Sequence, residues 1–476
     1  MTYSLNTPDD TDIATIRTLV GEQFCFRPDR LSPYLFEQRT KKTGNAALIV
    51  CPPNKEAVQR IVQFCHDRAL GIIPYGGGTG LAGGQVDIDG GQPEKIVLSM
   101  ENLNTLNPVN QNNQSIACEA GCLLKDVKTA AQQENLIFPL SMASQDVCTI
   151  GGNLATNAGG LNVIRYGSAR QLCIGLEAVL ANGRIFCDSG NLLKDNSGYD
   201  IRSLIIGSEG TLGIITAATL RLFTTPCEKI TVFCTIPEPA SCVRFLRAMQ
   251  KKVHESMTAF ELLSPQNLQM VSLYAPHISI PVPIDRYAVL IEVSGYPSIA
   301  DVTQKTLKTL LDDHTITEAF VAQNGTQEDN FWKIRTLIPS ANRFFQAIVS
   351  CDIALPIEVI PDFLKSAELT TMRIFPERII GCFGHIGDGN LHYSIFAPQK
   401  SNVSKTIPLD RLRTQLMDSI YELVIGYRGT ISGEHGIGRL KRELLHRYAD
   451  PVKIHTMQAI KKAFDPKGIL NPNVFF

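Results

Sequence analysis

The stretch Pro74-Tyr75-Gly76-Gly77-Gly78-Thr79-Gly80-Leu81-Ala82-Gly83-Gly84 places six glycines in nine residues. It follows a short β-rich run at 71–74. It also contains the spacing G-x-G-x-x-G in Gly78, Gly80 and Gly83, with Glu101 about 18 residues farther on. Spacing alone points to a dinucleotide turn. That mechanism needs a helix to begin at the loop, so that its N-terminus faces the pyrophosphate. The next residues, Gln85-Val-Asp-Ile-Asp-Gly-Gly-Gln-Pro93, tolerate no helix, so the Rossmann reading fails on context. A more general mechanism remains: residues without Cβ let successive backbone N–H groups converge on an anion, and Thr79 adds a hydroxyl. The bland alternative is an ordinary glycine-rich surface turn.

Two further segments weigh against that alternative. Ser144-Gln-Asp-Val-Cys-Thr-Ile-Gly-Gly-Asn-Leu-Ala-Thr-Asn-Ala-Gly-Gly160 and Gly207-Ser-Glu-Gly-Thr-Leu-Gly-Ile-Ile-Thr216 again combine glycine with small hydroxyl and amide side chains. Three such segments imply a large ligand touched mostly by main chain, and a dinucleotide meets that requirement. Around them, short β-rich runs at 46–50, 71–74 and 96–98 alternate with loops and with a helix that Asn54 caps and that runs to about Arg68. Asn182-Gly183 between 176–180 and 184–187 is a hairpin signal, because both residues tolerate positive φ. From about Ile230 glycine thins out and amphipathic helices lengthen: strand-like 230–236, helix-like 242–253, strand-like 288–293, helix-like 301–311, strand-like 318–322, a helix ending near Phe345, and late helices over 412–425 and 452–464. This texture suggests a second domain whose sheet is covered on one face.

The chain has 476 residues, 44% hydrophobic and 19% charged, with 45 basic against 46 acidic side chains. That is long enough for two or three domains and excludes disorder as the main theme. A net charge of −1 leaves no global electrostatic case for nucleic acid or an acidic membrane surface. No apolar run reaches the roughly 18–20 residues of a membrane span, and the opening decapeptide lacks the basic start and apolar stretch of a signal peptide, so the chain reads as cytoplasmic. The 13 cysteines are scattered without a C-x-x-C, and no iron–sulfur set is present.

The residues resemble the FAD-dependent D-2-hydroxyacid dehydrogenases of the vanillyl-alcohol-oxidase and p-cresol-methylhydroxylase superfamily. The resemblance spans about 46–473, and six segments match in the family's order: 76–84, 148–160, 194–200, 207–216, 385–392 and 432–438. It implies an α+β protein, with a two-lobed FAD-binding domain of the p-cresol-methylhydroxylase type and an α+β substrate (cap) domain built on an antiparallel sheet. The expected division is an N-terminal arm over 1–45, the FAD domain over 46–225, the substrate domain over 226–428, and a C-terminal segment over 429–476 that returns toward the FAD domain. By the same resemblance Gly76, Gly77, Gly78, Thr79 and Gly80 hold the pyrophosphate, Thr149, Gly152, Asn153 and Gly159 lie near the flavin and ribityl chain, and Ile214 lies in the stretch along the isoalloxazine edge. No histidine lies in the glycine loop, so the FAD is expected to be non-covalent.

His385-Ile-Gly-Asp-Gly-Asn-Leu-His392 places two imidazoles about a tight turn, and Glu434 some forty residues on would complete two imidazoles plus a carboxylate, a three-ligand set that leaves positions open for substrate. The alternative for each is a satisfied core histidine or a loop carboxylate. Zinc fits the ligand types, as do manganese and iron. In the resembling enzymes the residue at His435 is the general base, and an imidazole is suited to accept the α-hydroxyl proton near neutral pH. The metal polarises that hydroxyl while the flavin takes hydride. Arg335, in Trp332-Lys-Ile-Arg335, resembles the arginine whose guanidinium forks onto the substrate's C1 carboxylate.

Two departures bear on the substrate. The hydroxyglutarate enzymes carry a threonine four residues after that arginine and a lysine two residues before the D-I-x-x-P segment, where this chain has Pro339 and Ser350. Those two side chains hold the distal carboxylate. The expectation is therefore a monocarboxylic D-2-hydroxy acid such as D-lactate in preference to D-2-hydroxyglutarate, the alternatives being a D-2-hydroxyglutarate dehydrogenase or a glycolate-oxidase-type FAD subunit of a larger complex. Electrons would pass to an external acceptor such as a quinone, an electron-transfer flavoprotein or a cytochrome, which would make the protein peripheral to a membrane through that acceptor. A homodimer is implied by the resemblance alone. The ending Asn471-Pro-Asn-Val-Phe-Phe476 departs from the family's usual tail.

Overall fold

The computed structural model describes residues 3–28, 33–90, 93–188, 191–398 and 408–476. The first two residues of the N-terminal arm, and Gly91 and Gln92 of the stretch after the glycine loop, lie outside the described residues. The chain divides into two compact units, one made of Met1–Gly159, Gly167–Thr225 and His435–Phe476, the other of Gly160–Tyr166 and Pro226–Glu434. The arm falls within the first unit, and the C-terminal segment is divided between Glu434 and His435.

In the first unit the Asn54 side chain accepts from the Ala57 amide and starts the helix Lys55–Arg68. Its buried face, Ala57, Val58, Ile61, Val62 and Cys65, recurs at helical spacing. The same unit holds a four-stranded sheet in the order Cys25–Phe26, Leu48–Val50, Ile96–Ser99, Ile72–Tyr75, whose last three strands are parallel. The glycine loop leaves the end of Ile72–Tyr75. Among the described residues no helix intervenes before Ile96–Ser99, as the Rossmann objection requires.

The second lobe is an antiparallel sheet in the order Ser115–Glu119, Ile214–Arg221, Cys173–Val179, Ile185–Asp188. Its hairpin at Asn182-Gly183 differs from expectation: only Gly183 adopts positive φ (76°). The Gly183 amide donates to the Leu180 carbonyl at 2.8 Å and the Leu180 amide to the Arg184 carbonyl at 2.9 Å. A four-residue turn closed by one left-handed glycine thus replaces the two-residue type I′ turn, which needs positive φ twice.

The second unit is a seven-stranded antiparallel sheet in the order Glu318–Val321, Glu228–Ile236, Tyr287–Gly295, Met257–Leu263, Ile379–Gly384, Asn390–Phe396, Val349–Ala354. Both faces are covered, not one. Phe260 packs edge-on against Phe245 of the helix Pro239–Val253, with ring centroids 5.2 Å apart, while the next residue, Glu261, meets Arg335 of the helix Gly325–Phe344. Successive strand side chains point to opposite faces, so those two helices lie on opposite sides. All seven residues of Met257–Leu263 are buried, which is the pattern of a strand covered twice.

Candidate functional site

In the first unit, three glycine segments line one cleft with about 910 Å³ of empty space. Gly76, Gly77, Gly78, Thr79, Gly80, Thr149, Gly152, Asn153, Ile214 and His435 all line it; Gly159 does not. Among the described residues, the backbone N–H groups of Gly77, Gly78, Thr79 and Gly80 give no hydrogen bond to the protein. Four successive amide donors on residues that line a cleft could hold an anion by main chain. Close packing explains Gly77, since a Cβ there would stand 2.3 Å from the Val147 carbonyl oxygen. The Thr149 hydroxyl accepts from the Gly152 amide at 3.3 Å and caps the helix Ile150–Ala155.

The loop bearing His435 is fixed from behind by a carboxylate that the sequence reading passed over. Buried Glu209, itself lining the cleft, accepts from the amides of Ile437 (2.8 Å) and Gly438 (2.9 Å). Burial pushes the Glu209 carboxyl up, and those two amides oppose the shift. Buried Arg439 donates to the carbonyls of Gly83 (3.0 Å), Gly84 (2.8 Å) and Pro472 (2.8 Å) and to the Asn471 side chain (3.0 Å). The unusual tail thereby gains a structural role: Asn471 lines the cleft and donates to the Gly84 and Glu209 carbonyls, while Val474 and Phe475 pack with Leu445.

In the second unit, the turn after Ile379–Gly384 brings the two histidines together. His392 pairs with Phe383, and His385 lies two residues beyond Phe383, so both imidazoles occupy one sheet face with ring centroids 5.8 Å apart. Glu434 arrives between them: Oε1 is 3.2 Å from His392 Nε2 and Oε2 is 3.6 Å from His385 Nε2, and the three donors lie within 4.8 Å of one another. Donors about 2.0–2.2 Å from a tetrahedral zinc stand roughly 3.4 Å apart, so the set fits such an ion. Buried Asp352 accepts from the Asn390 side chain (2.8 Å) and from the Glu434 amide (3.1 Å). Gly433 allows that approach, because a Cβ there would be 2.0 Å from the Asn390 amide nitrogen.

Arg335 is not a free fork. Its Nε donates to Glu261 Oε2 at 2.6 Å, and its guanidinium lies 4.7 Å from the centroid of the Phe383 ring. Glu261 is fully buried, and its other oxygen lies 2.5 Å from His385 Nδ1. Burial alone would raise the Glu261 carboxyl, yet His385 and Arg335 hold it at about 2. Burial alone would lower His385, yet Glu261 lifts it to about 9. The sequence did carry a signal for Glu261: one carboxylate inside the apolar run Met257-Thr-Ala-Phe-Glu-Leu-Leu263 is anomalous unless paired.

Residues 225–474 match the family model described as FAD linked oxidases, C-terminal domain, and residues 46–187 match the FAD binding domain model. A mitochondrial D-2-hydroxyglutarate dehydrogenase of Arabidopsis thaliana is 32% identical, over 98% of this chain and 81% of that protein. This chain belongs to the FAD-dependent D-2-hydroxyacid dehydrogenases. It is an enzyme that couples FAD to oxidation of a D-2-hydroxy acid. The dehydrogenase is also 30% identical to a D-2-hydroxyglutarate–pyruvate transhydrogenase of Saccharomyces cerevisiae, over 98% of this chain and 94% of that protein. Its fold is shared with p-cresol methylhydroxylase, at a TM-score of 0.77 and 15% identity, covering 99% of this chain and 98% of that one. Among the described residues no helix of the dehydrogenase is long and apolar enough to cross a membrane.

Proposed function

We propose that this dehydrogenase oxidises a D-2-hydroxy acid with one carboxylate, such as D-lactate or a longer homologue, to the 2-oxo acid, with a divalent ion held by His385, His392 and Glu434. The observation that carries the ion is the 3.2 and 3.6 Å spacing of Glu434 from the two Nε2 atoms. When bound, non-covalent FAD supplies the hydride acceptor and the ion supplies the charge that polarises the α-hydroxyl. Residues 76–80 would hold the pyrophosphate by main chain, and Thr149, Gly152, Asn153 and Ile214, which line the same cleft, would hold the flavin. Arg335 turns its remaining guanidinium edge to the C1 carboxylate. His435 accepts the hydroxyl proton as Cα gives up its hydride. The two electrons then leave to an external acceptor.

The substrate preference rests on a neutral row beside the ion site. His392 and Ser394 face the same way on Asn390–Phe396, opposite Asp352 and Ser350. The Ser394 hydroxyl lies 3.3 Å from that of Ser350 and 3.5 Å from the Asn342 amide. Arg335, Pro339 and Asn342 follow one another at helical spacing, and Pro339 has no N–H to give to the Arg335 carbonyl. A distal carboxylate would meet the hydroxyls of Ser350 and Ser394 and the side-chain amide of Asn342 there, where the hydroxyglutarate enzymes present a lysine. An uncompensated buried charge costs several kcal/mol. Because Ser350 is exposed, solvent recovers part of that. Steady-state kcat/KM for D-lactate is expected to exceed that for D-2-hydroxyglutarate by about 10–100-fold. A larger value for hydroxyglutarate, the substrate named for several relatives, overturns the preference.

Ion uptake should be proton-linked. His385 is raised to about 9, so below that pH a proton competes for the site. Zinc affinity is expected to rise about tenfold per pH unit between pH 6 and 8. A flat profile in chelator competition contradicts the assignment of His385.

A further inference from the structure

We propose that Glu261 is a positioning residue that sets the metal ligand His385 and the carboxylate-binding Arg335 in one fixed relation, each held by a different oxygen of the same buried carboxylate. This rests on the roles given to His385 and Arg335 under Proposed function. Glu261 lies mid-strand in Met257–Leu263, its register fixed by Leu290 on the neighbouring strand, so it has little freedom to follow either partner.

A carboxylate only accepts hydrogen bonds, so the atom facing Glu261 Oε1 at 2.5 Å must be the protonated Nδ1 of His385. Nε2, which points at Glu434, is then the nitrogen whose lone pair is left for an ion. On the other side, Oε2 takes the Nε hydrogen of Arg335 at 2.6 Å and Phe383 lies 4.7 Å from the guanidinium, which leaves the two terminal nitrogens as the working edge. The same carboxylate therefore decides which imidazole nitrogen binds the ion and which guanidinium edge meets substrate. A glutamine could serve only one partner, because its amide nitrogen is a donor and would face a second donor at the other. An aspartate keeps the charge but is one methylene too short to reach both.

The test uses the flavin-loaded enzyme. Zinc affinity is measured by chelator competition without substrate, and KM and kcat are measured with D-lactate. For Glu261→Gln, zinc affinity is expected to fall or KM to rise about 10–100-fold, according to which partner the amide nitrogen faces, with kcat less affected and flavin content unchanged. Glu261→Asp separates position from charge: weaker zinc binding or raised KM with the charge retained supports the proposal. Zinc affinity and KM within twofold of the parent in the aspartate variant overturn it, and so does a glutamine variant altered in neither quantity. Should glutamine fail to fold, the aspartate result decides alone. If the parent itself binds no zinc, the ion reading falls and this inference with it; if the parent binds zinc and the aspartate variant matches it, only this inference falls.

Discussion

His435→Asn is expected to slow anaerobic bleaching of the flavin by D-lactate about 10²–10⁴-fold, the usual worth of a positioned general base, with flavin content unchanged. The geometry explains why the loss should be selective. His435 is half-buried at the rim of the cleft, and its loop is placed through the backbone, by Glu209 on the amides of Ile437 and Gly438. Asparagine leaves those bonds intact and is close in size to the imidazole, but it does not take up a proton near neutral pH. Arg335 and the ion ligands are untouched, so KM should change little while kcat falls. Chemical reduction by dithionite needs no base and should proceed as in the parent. A substrate-driven rate within fivefold of the parent removes His435 from the mechanism.

What could be read in the sequence was governed by locality. Asn54 before an apolar period, the helix ending at Phe345 and the strand 288–293 depend on near neighbours, and the structure has a helix at Lys55–Arg68, another at Gly325–Phe344 and a strand at Tyr287–Gly295. The conjunction of His385, His392 and Glu434 was legible because a tight turn between the histidines and a glycine-flanked loop match the family's segments, even though the loop comes from some forty residues away. The buried brackets were not legible. Glu261 with His385 spans 124 residues and Glu209 with Gly438 spans 229. In each case the partner is an ordinary polar atom whose importance appears only once burial is known. The one-face covering failed for a related reason: the apolar run over 288–293 has the composition of a strand buried on both sides, and helix spacing does not say which face a helix takes.

Arg439→Met should have the largest effect on stability, a loss of about 3–5 kcal/mol, as expected when a buried, hydrogen-bonded charge is removed from its partners. The side chain is inaccessible to solvent, and burial pushes its pKa down, so the guanidinium is kept charged only by what surrounds it. Its four hydrogen bonds tie Gly83 and Gly84, at the end of the glycine loop, to Asn471 and Pro472 of the tail. Methionine fills the volume but leaves three carbonyls and an amide oxygen without that donor. Gly84 keeps only its bond from Asn471. The free amides of residues 77–80 depend on the same loop, so FAD should dissociate before the first unit melts. Excess FAD should recover part of the loss, because a ligand that binds only the folded state stabilises it by mass action. Arg439→Lys retains the charge but not the planar fork across four oxygens, and should fall between the two. Melting followed by flavin fluorescence and by circular dichroism checks both points; a methionine variant within 1 kcal/mol of the parent would mean the tail is held by its own backbone contacts to Ile72.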